Sequence, residues 1–136
     1  MTRHDEGLLD TSTLILSGRL PDPTLLPRRP RISTVTLAEL SVGPLVADGE
    51  ERAARQAQVQ SAEADFEAIP FDVGAARAFG RVAASLRRRG RKSSARPFDA
   101  MIAAVAIANG LPLYTCNPGH FSGIDELQVV PVEIPR

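Results

Sequence analysis

The sequence predicts an α/β domain in which a parallel sheet carries helices on both faces. Three observations support this. Short apolar runs alternate with longer segments of helical periodicity along the chain, the pattern of strand–helix–strand units. No two-residue hairpin joins any two of the runs, so neighbouring strands are reached through helices. The stretch Ser94–Thr115 holds a helix that is apolar on nearly every face, which suits burial against a sheet or a neighbouring helix.

The elements follow in order. Gly7-Leu8-Leu9 is read as the first strand, ending at Asp10. Thr11 and Ser12 can cap a helix that opens over Thr13–Leu16. Gly18–Pro30 contains Pro21, Pro23, Pro27 and Pro30, so loop or broken helix is expected. Leu25 and Leu26 within it are a candidate partner-facing spot. Ile32–Val35 is the second strand, and Thr36-Leu37-Ala38-Glu39 fits the capping box that starts a helix. Gly43-Pro44 is expected to break that helix. Glu50–Phe66 is polar and alanine-rich, the composition of a surface helix.

Ile69-Pro70-Phe71 is a third strand, which Pro70 keeps from a central position. Val73–Arg88 is an amphipathic helix with Ala76, Phe79, Val82, Ala83 and Leu86 on one face. A basic linker around Gly90 leads to the apolar helix. Pro97 suits its first turn, where a missing N–H costs nothing, and Asn109-Gly110 supplies its stop. Leu111–Thr115 is the fourth strand. Val129–Val132, with Pro131, is a fifth strand at an edge.

The 136 residues are most simply one domain, 1–136, long enough to bury a real core. No apolar run approaches the ~20 residues that span a bilayer, which argues against a membrane partner. The first residues lack the apolar stretch of a signal peptide. A single cysteine, Cys116, cannot form an internal disulfide, so a cytoplasmic location is expected. Sixteen basic and sixteen acidic residues cancel overall, yet Arg87, Arg88, Arg89, Arg91, Lys92 and Arg96 fall within ten residues. Taken alone, such a run is first a solvated helix end and loop; a neutral total still permits a local polyanion site.

In an open parallel sheet, ligands bind beyond the carboxyl ends of the strands. Asp10 ends the first strand, Glu39 lies in the first helical turn after the second, and Asn117 follows the fourth. Asp99 joins them only if the linker Arg87–Arg96 returns the chain to that edge. Each acid has a structural alternative: Asp10 as a helix cap, Glu39 in a capping box, Asp99 as a first-turn acid facing the helix dipole. Together on one edge they point to a cation site, because clustered carboxylates repel and a hard divalent ion such as Mg²⁺ or Mn²⁺ relieves the repulsion.

Four motifs in order, Leu-Leu-Asp10-Thr-Ser, Thr-Leu-Ala-Glu39-Leu, Arg96-Pro-Phe-Asp99-Ala-Met-Ile-Ala-Ala and Tyr-Thr115-Cys-Asn117-Pro-Gly-His-Phe121, resemble the PIN domain. They are most similar to the VapC-like ribonuclease toxins of bacterial toxin–antitoxin pairs. The resemblance spans almost the whole chain. It implies a three-layer α/β/α fold around a central parallel sheet of about five short strands. It also implies a Mg²⁺- or Mn²⁺-dependent endoribonuclease, a VapB-like antitoxin that covers the site, and a homodimer. Asp10, Glu39 and Asp99 match the acidic catalytic and metal positions, and Thr11 or Ser12 match hydroxyls near the first acid. The fourth motif departs from the family. Asn117 stands where many members carry an acid, Cys116 replaces an arginine and His120 replaces an aspartate, so the expected site holds one metal firmly rather than two. Asn117 can still offer its carbonyl oxygen, and His120 can act as an auxiliary group. Asp125 and Glu126 are near enough in sequence to substitute for the missing acid.

Two other classes compete with this reading. A catalytically weak PIN-like module, acting by binding RNA or an antitoxin-like partner, shares all of these features. A phosphatase or receiver domain is disfavoured: Thr-Ser-Thr follows Asp10 with no second aspartate two residues on, and no acidic pair sits between the first strand and its helix. No Gly-rich phosphate loop of an NTPase occurs. At 4% aromatic residues and no tryptophan, base-stacking platforms are scarce, which favours recognition of RNA shape and backbone.

Overall fold

Leu8 and Leu9, adjacent in the first strand, point to opposite faces and enter two different cores, as the two-residue period of a strand requires. This pair defines the molecule's three layers. The computed structural model describes residues 3–134. Five strands, β1 (Glu6–Leu9), β2 (Arg29–Ser33), β3 (Ala68–Ile69), β4 (Leu113–Thr115) and β5 (Val129–Pro131), form one sheet in the order β3-β2-β1-β4-β5. Every pairing is parallel. Five α-helices accompany it: α1 (Thr11–Ser17), α2 (Thr34–Val46), α3 (Gly49–Asp65), α4 (Val73–Arg88) and α5 (Pro97–Ala108). The predicted α/β architecture with about five short strands is the one observed.

On one face Leu8, Leu113 and Ile69 pack against the small residues of α4 and α5, including Ala75, Ala78, Ala103 and Ala104. On the other, Leu9, Ile32 and Tyr114 pack against Leu14 of α1, Leu40 of α2 and Ala62 of α3. Tyr114 packs closely against β1: a Cβ on Gly7 would stand 2.7 Å from its ring, so the glycine is what lets strand and ring approach. No helix among the described residues is long and apolar enough to cross a membrane.

Several element boundaries differ from expectation. β2 begins at Arg29 rather than Ile32, inside the proline-rich stretch, because the ladder to β1 and ion pairs from Arg29 and Arg31 to Glu6 (2.6 and 3.3 Å) hold it extended. It ends at Ser33, whose hydroxyl accepts from the Thr36 N–H (3.3 Å) and caps α2. The capping box expected at Thr36 and Glu39 is therefore absent. α2 continues through Gly43 and Pro44 to Val46; so near the C-terminal end, the proline costs little of the hydrogen-bond ladder. Likewise Asp10, not Thr11 or Ser12, caps α1, accepting from the Thr13 N–H. Leu26 is buried and Leu25 packs against the same core, so neither forms a partner-facing spot. The buried stripe of α4 runs over Ala75, Ala78, Val82, Ser85 and Leu86 rather than through Ala76 and Ala83.

α4 and α5 are antiparallel. Gly74 at the start of α4 lies against Ala108 at the end of α5, while Leu86 and Ala100 line one cavity at the opposite end. The basic linker therefore turns at the carboxyl edge of the sheet, and α5 starts there with Asp99 in its first turn.

Candidate active site

The strand order places β1 between β2 and β4, so whatever follows β1 at the carboxyl edge meets residues from both neighbours. Asp10 occupies that position and is 2% exposed. Its Oδ1 accepts from the Thr13 N–H at 3.1 Å. Its Oδ2 accepts from the Thr115 hydroxyl at 2.8 Å and the Ser12 hydroxyl at 3.4 Å. The structural role weighed for Asp10 is thus filled by one oxygen, and the other faces the β4 side.

Asn117 continues the network. Its backbone N–H donates to Thr115 Oγ1 (2.9 Å) and its side-chain amide to Ser12 Oγ (3.0 Å). On the β2 side, Glu39 Oε1 lies 2.7 Å from the Thr11 hydroxyl, which is itself 3.1 Å from the Thr36 hydroxyl. Thr11 has a single proton to give and the carboxylate can only accept. Glu39 is thereby oriented by a side chain of α1.

Asp99 comes from the third direction. Its side chain is 22% exposed, and His120 Nδ1 stands 3.4 Å from Oδ2. Burial first, then the charge of Asp10, push its carboxyl above the usual range; Glu39 adds to this, while His120 and Arg96 pull it back. Asp99 and Glu39 also line one cleft of about 200 Å³. The three acids therefore share one electrostatic environment. Among the described residues no three His, Cys, Asp or Glu side chains close into a ready-made ligand set. The donor chemistry fits a hard cation, since oxygen ligands predominate and negative charge is in excess.

The basic run divides. Arg88 and Arg89 both bind Asp125 (2.9 and 2.8 Å), and Arg81 binds Glu126 (2.8 Å). Arg88 holds the Asp125 carboxyl below its ordinary range. Asp125 and Glu126 are thus turned toward α4 and do not replace the acid missing at Asn117. Arg87, Arg91, Lys92 and Arg96 are exposed and make no carboxylate pair among the described residues. Sequence reasoning gave the buried hydroxyls of Thr13, Thr36 and Thr115 no role in the site. The available signal was a hydroxyl residue beside each acid-bearing strand end.

The PIN domain family model matches residues 8–127. Ribonuclease VapC5 of Mycobacterium tuberculosis is 45% identical over 122 residues, 88% of this chain and 87% of that protein. The tRNA(fMet)-specific endonuclease VapC of Shigella flexneri is 34% identical over 97 residues, 71% of this chain and 70% of that one. The crystal structure of VapBC-5 from Mycobacterium tuberculosis, a member of the VapBC family of toxin–antitoxin systems, matches with a TM-score of 0.79 and 37% identity, over 94% of this chain and 99% of its counterpart. The chain belongs to the PIN-domain family and, within it, to the VapC ribonucleases of toxin–antitoxin pairs.

Proposed function

We propose that Asp10, Glu39 and Asp99 hold a Mg²⁺ or Mn²⁺ ion and that RNA is cut beside it, with Asn117 offering an additional oxygen. The observation that carries this is geometric: Asp10 at the end of β1, Glu39 on α2 and Asp99 in the first turn of α5 approach one another at the carboxyl edge, Glu39 and Asp99 lining one cleft. Bound there, the ion supplies water activation and charge stabilisation on the phosphodiester. The chain's own residues do the positioning. Thr115 and Ser12 aim Asp10, Thr11 aims Glu39, and the start of α5 brings in Asp99. His120 is an auxiliary group against Asp99, placed to donate toward a phosphate.

RNA phosphates are drawn by Arg87, Arg91, Lys92 and Arg96. Arg88 and Arg89, expected to share that work, are engaged with Asp125 at the surface, an exposed arrangement that contributes little to stability. The toxin's partner is a VapB-like antitoxin. Val42, Leu45 and Val46 on the last turns of α2 remain exposed, Leu45 at 81%, and give such a partner an apolar contact. Homodimerisation and a cytoplasmic location belong to the same proposal; Cys116 is a free thiol, as a reducing compartment maintains.

The test is cleavage of RNA by purified protein with Mg²⁺, with EDTA, and after Asp99→Asn. Loss of cleavage in the last two supports the site; undiminished cleavage by Asp99→Asn rejects it. A binding module that does not cut is the alternative, favoured by the neutral Asn117. It would bind RNA equally with and without Mg²⁺ and release no product.

A further inference from the structure

Beside the acid site lies a cavity of about 350 Å³ whose walls come from four parts of the chain. Leu86 from α4, Ala100 from α5 and Ile124 from the loop after β4 give it an apolar floor, each less than a tenth exposed. Arg91, Lys92 and Arg96 stand on its rim. None of these three pairs with a carboxylate among the described residues, although Arg88 and Arg89 close by do. Arg91 is held in place by its Nη1 hydrogen bond to the Ser122 carbonyl (3.1 Å). His120 lines the same cavity and its Nδ1 stands 3.4 Å from Asp99 Oδ2, so one side chain lies between the cavity and the acids.

We propose that this cavity is a nucleotide subsite, taking one base of the RNA on the floor of Leu86, Ala100 and Ile124 and its phosphate on Arg91, Lys92 and Arg96. Its size lies at the lower end of the range for small-ligand sites, and an apolar floor with few convergent polar groups is their usual lining. Cations that form no close carboxylate pair around a partly enclosed space favour a polyanion over a neutral ligand. The occupant is a nucleotide next to the one being cut, because His120 separates the cavity from Asp99 by a single side chain. Selection of that neighbouring base would then be set here rather than at the metal. The apolar floor also supplies what the chain lacks in aromatic platforms.

The subsite rests on the ribonuclease reading, but binding in EDTA tests it independently of cleavage. Adenosine 5′-monophosphate, adenosine and inorganic phosphate are titrated into the full chain in EDTA, with amide NMR shifts followed at Ser93, Gly119 and His120. Shifts at these residues with the monophosphate, at least tenfold tighter than with adenosine or with phosphate, are expected. Lys92→Gln with Arg96→Gln should weaken monophosphate binding tenfold or more, whereas Arg77→Gln on the exposed start of α4 should not. Equal binding of adenosine and the monophosphate, phosphate binding as tightly as the nucleotide, or an unaffected double variant would each overturn the proposal. A chain that binds the monophosphate this way but cuts no RNA keeps the subsite and loses the nuclease; one that cuts RNA without these shifts does the reverse.

Discussion

Replacing Asp99 with asparagine is expected to abolish cleavage and, without divalent metal, to make the protein more stable. Asp99 is partly buried and faces two other carboxylates, with a 3.4 Å contact to His120 and the more distant charge of Arg96 in return. Stabilising substitutions that relieve crowded charge commonly yield about 0.5–2 kcal/mol. Against it stands the loss of a favourable charge in the first turn of α5, about 0.3–1 kcal/mol. The net gain is about 1 kcal/mol. An unfolding entropy of ~2.1 cal/mol/K per residue turns that into a rise in Tm of about 3–4 °C for a chain of this length.

The pH dependence separates charge from packing. The folded carboxyl lies above its ordinary value of 3.8, so between the two values the folded state binds more protons than the unfolded one. Its contribution to stability is greatest below 3.8 and is lost as pH rises through the raised value. The advantage of Asp99→Asn should accordingly be present at pH 7.5 in EDTA and fade in acid. Adding Mg²⁺ at about 100 times its dissociation constant should stabilise the parent by ~2.7 kcal/mol and so reverse the order of the two proteins. Scanning calorimetry reads all three comparisons. A variant that melts below the parent at pH 7.5 in EDTA would refute the reasoning.

Removing the Thr115 hydroxyl with Thr115→Val leaves Asp10 Oδ2 without its shortest donor, and Mn²⁺ affinity measured by calorimetric titration should fall about 10–100-fold. Asn117→Asp adds a fourth charge beside Ser12 and should lower the Mg²⁺ concentration needed for half-maximal cleavage several-fold; a parent that already binds two Mn²⁺ ions tightly would contradict it. Gly7→Ala drives a methyl into the Tyr114 ring and should cost about 1–3 kcal/mol in urea unfolding. Leu45→Glu, on the exposed end of α2, should weaken capture by the antitoxin while leaving cleavage intact; unchanged capture would move the contact elsewhere.

The placement of Asp10 and Asn117 was legible because a parallel alternation fixes which strand ends share an edge, and an acid at such an end needs no side-chain detail to be located. The α4 and α5 spans were legible for the same local reason, a long pattern closed by caps. The start of β2 was not, since two arginines flanking a proline read as loop. Arg29, Pro30 and Arg31 become strand only through the β1 ladder and Glu6. The cap of α2 was misplaced by three residues because Ser33 and Thr36 are both competent caps, and strand register decides between them. Nor could sequence separate Arg88 and Arg89 from Arg91, Lys92 and Arg96. Their division depends on where the loop carrying Asp125 folds back.

The three acids are not equivalent, and the difference bears on how the site assembles. Asp10 is buried and accepts three hydrogen bonds, from Thr13, Thr115 and Ser12, so its position is set by folding. Glu39 is steered by one short hydrogen bond from Thr11, itself in contact with buried Thr36. Asp99 has the least support and the most unfavourable surroundings. On the proposed reading, a cation entering this edge would meet one fixed ligand, one guided ligand and one relieved of its neighbours' charge on binding. If Asp99 is a metal ligand as proposed, the stability released by neutralising it would become metal affinity in the parent, and an asparagine there should stabilise the metal-free protein and disable the metal-bound one.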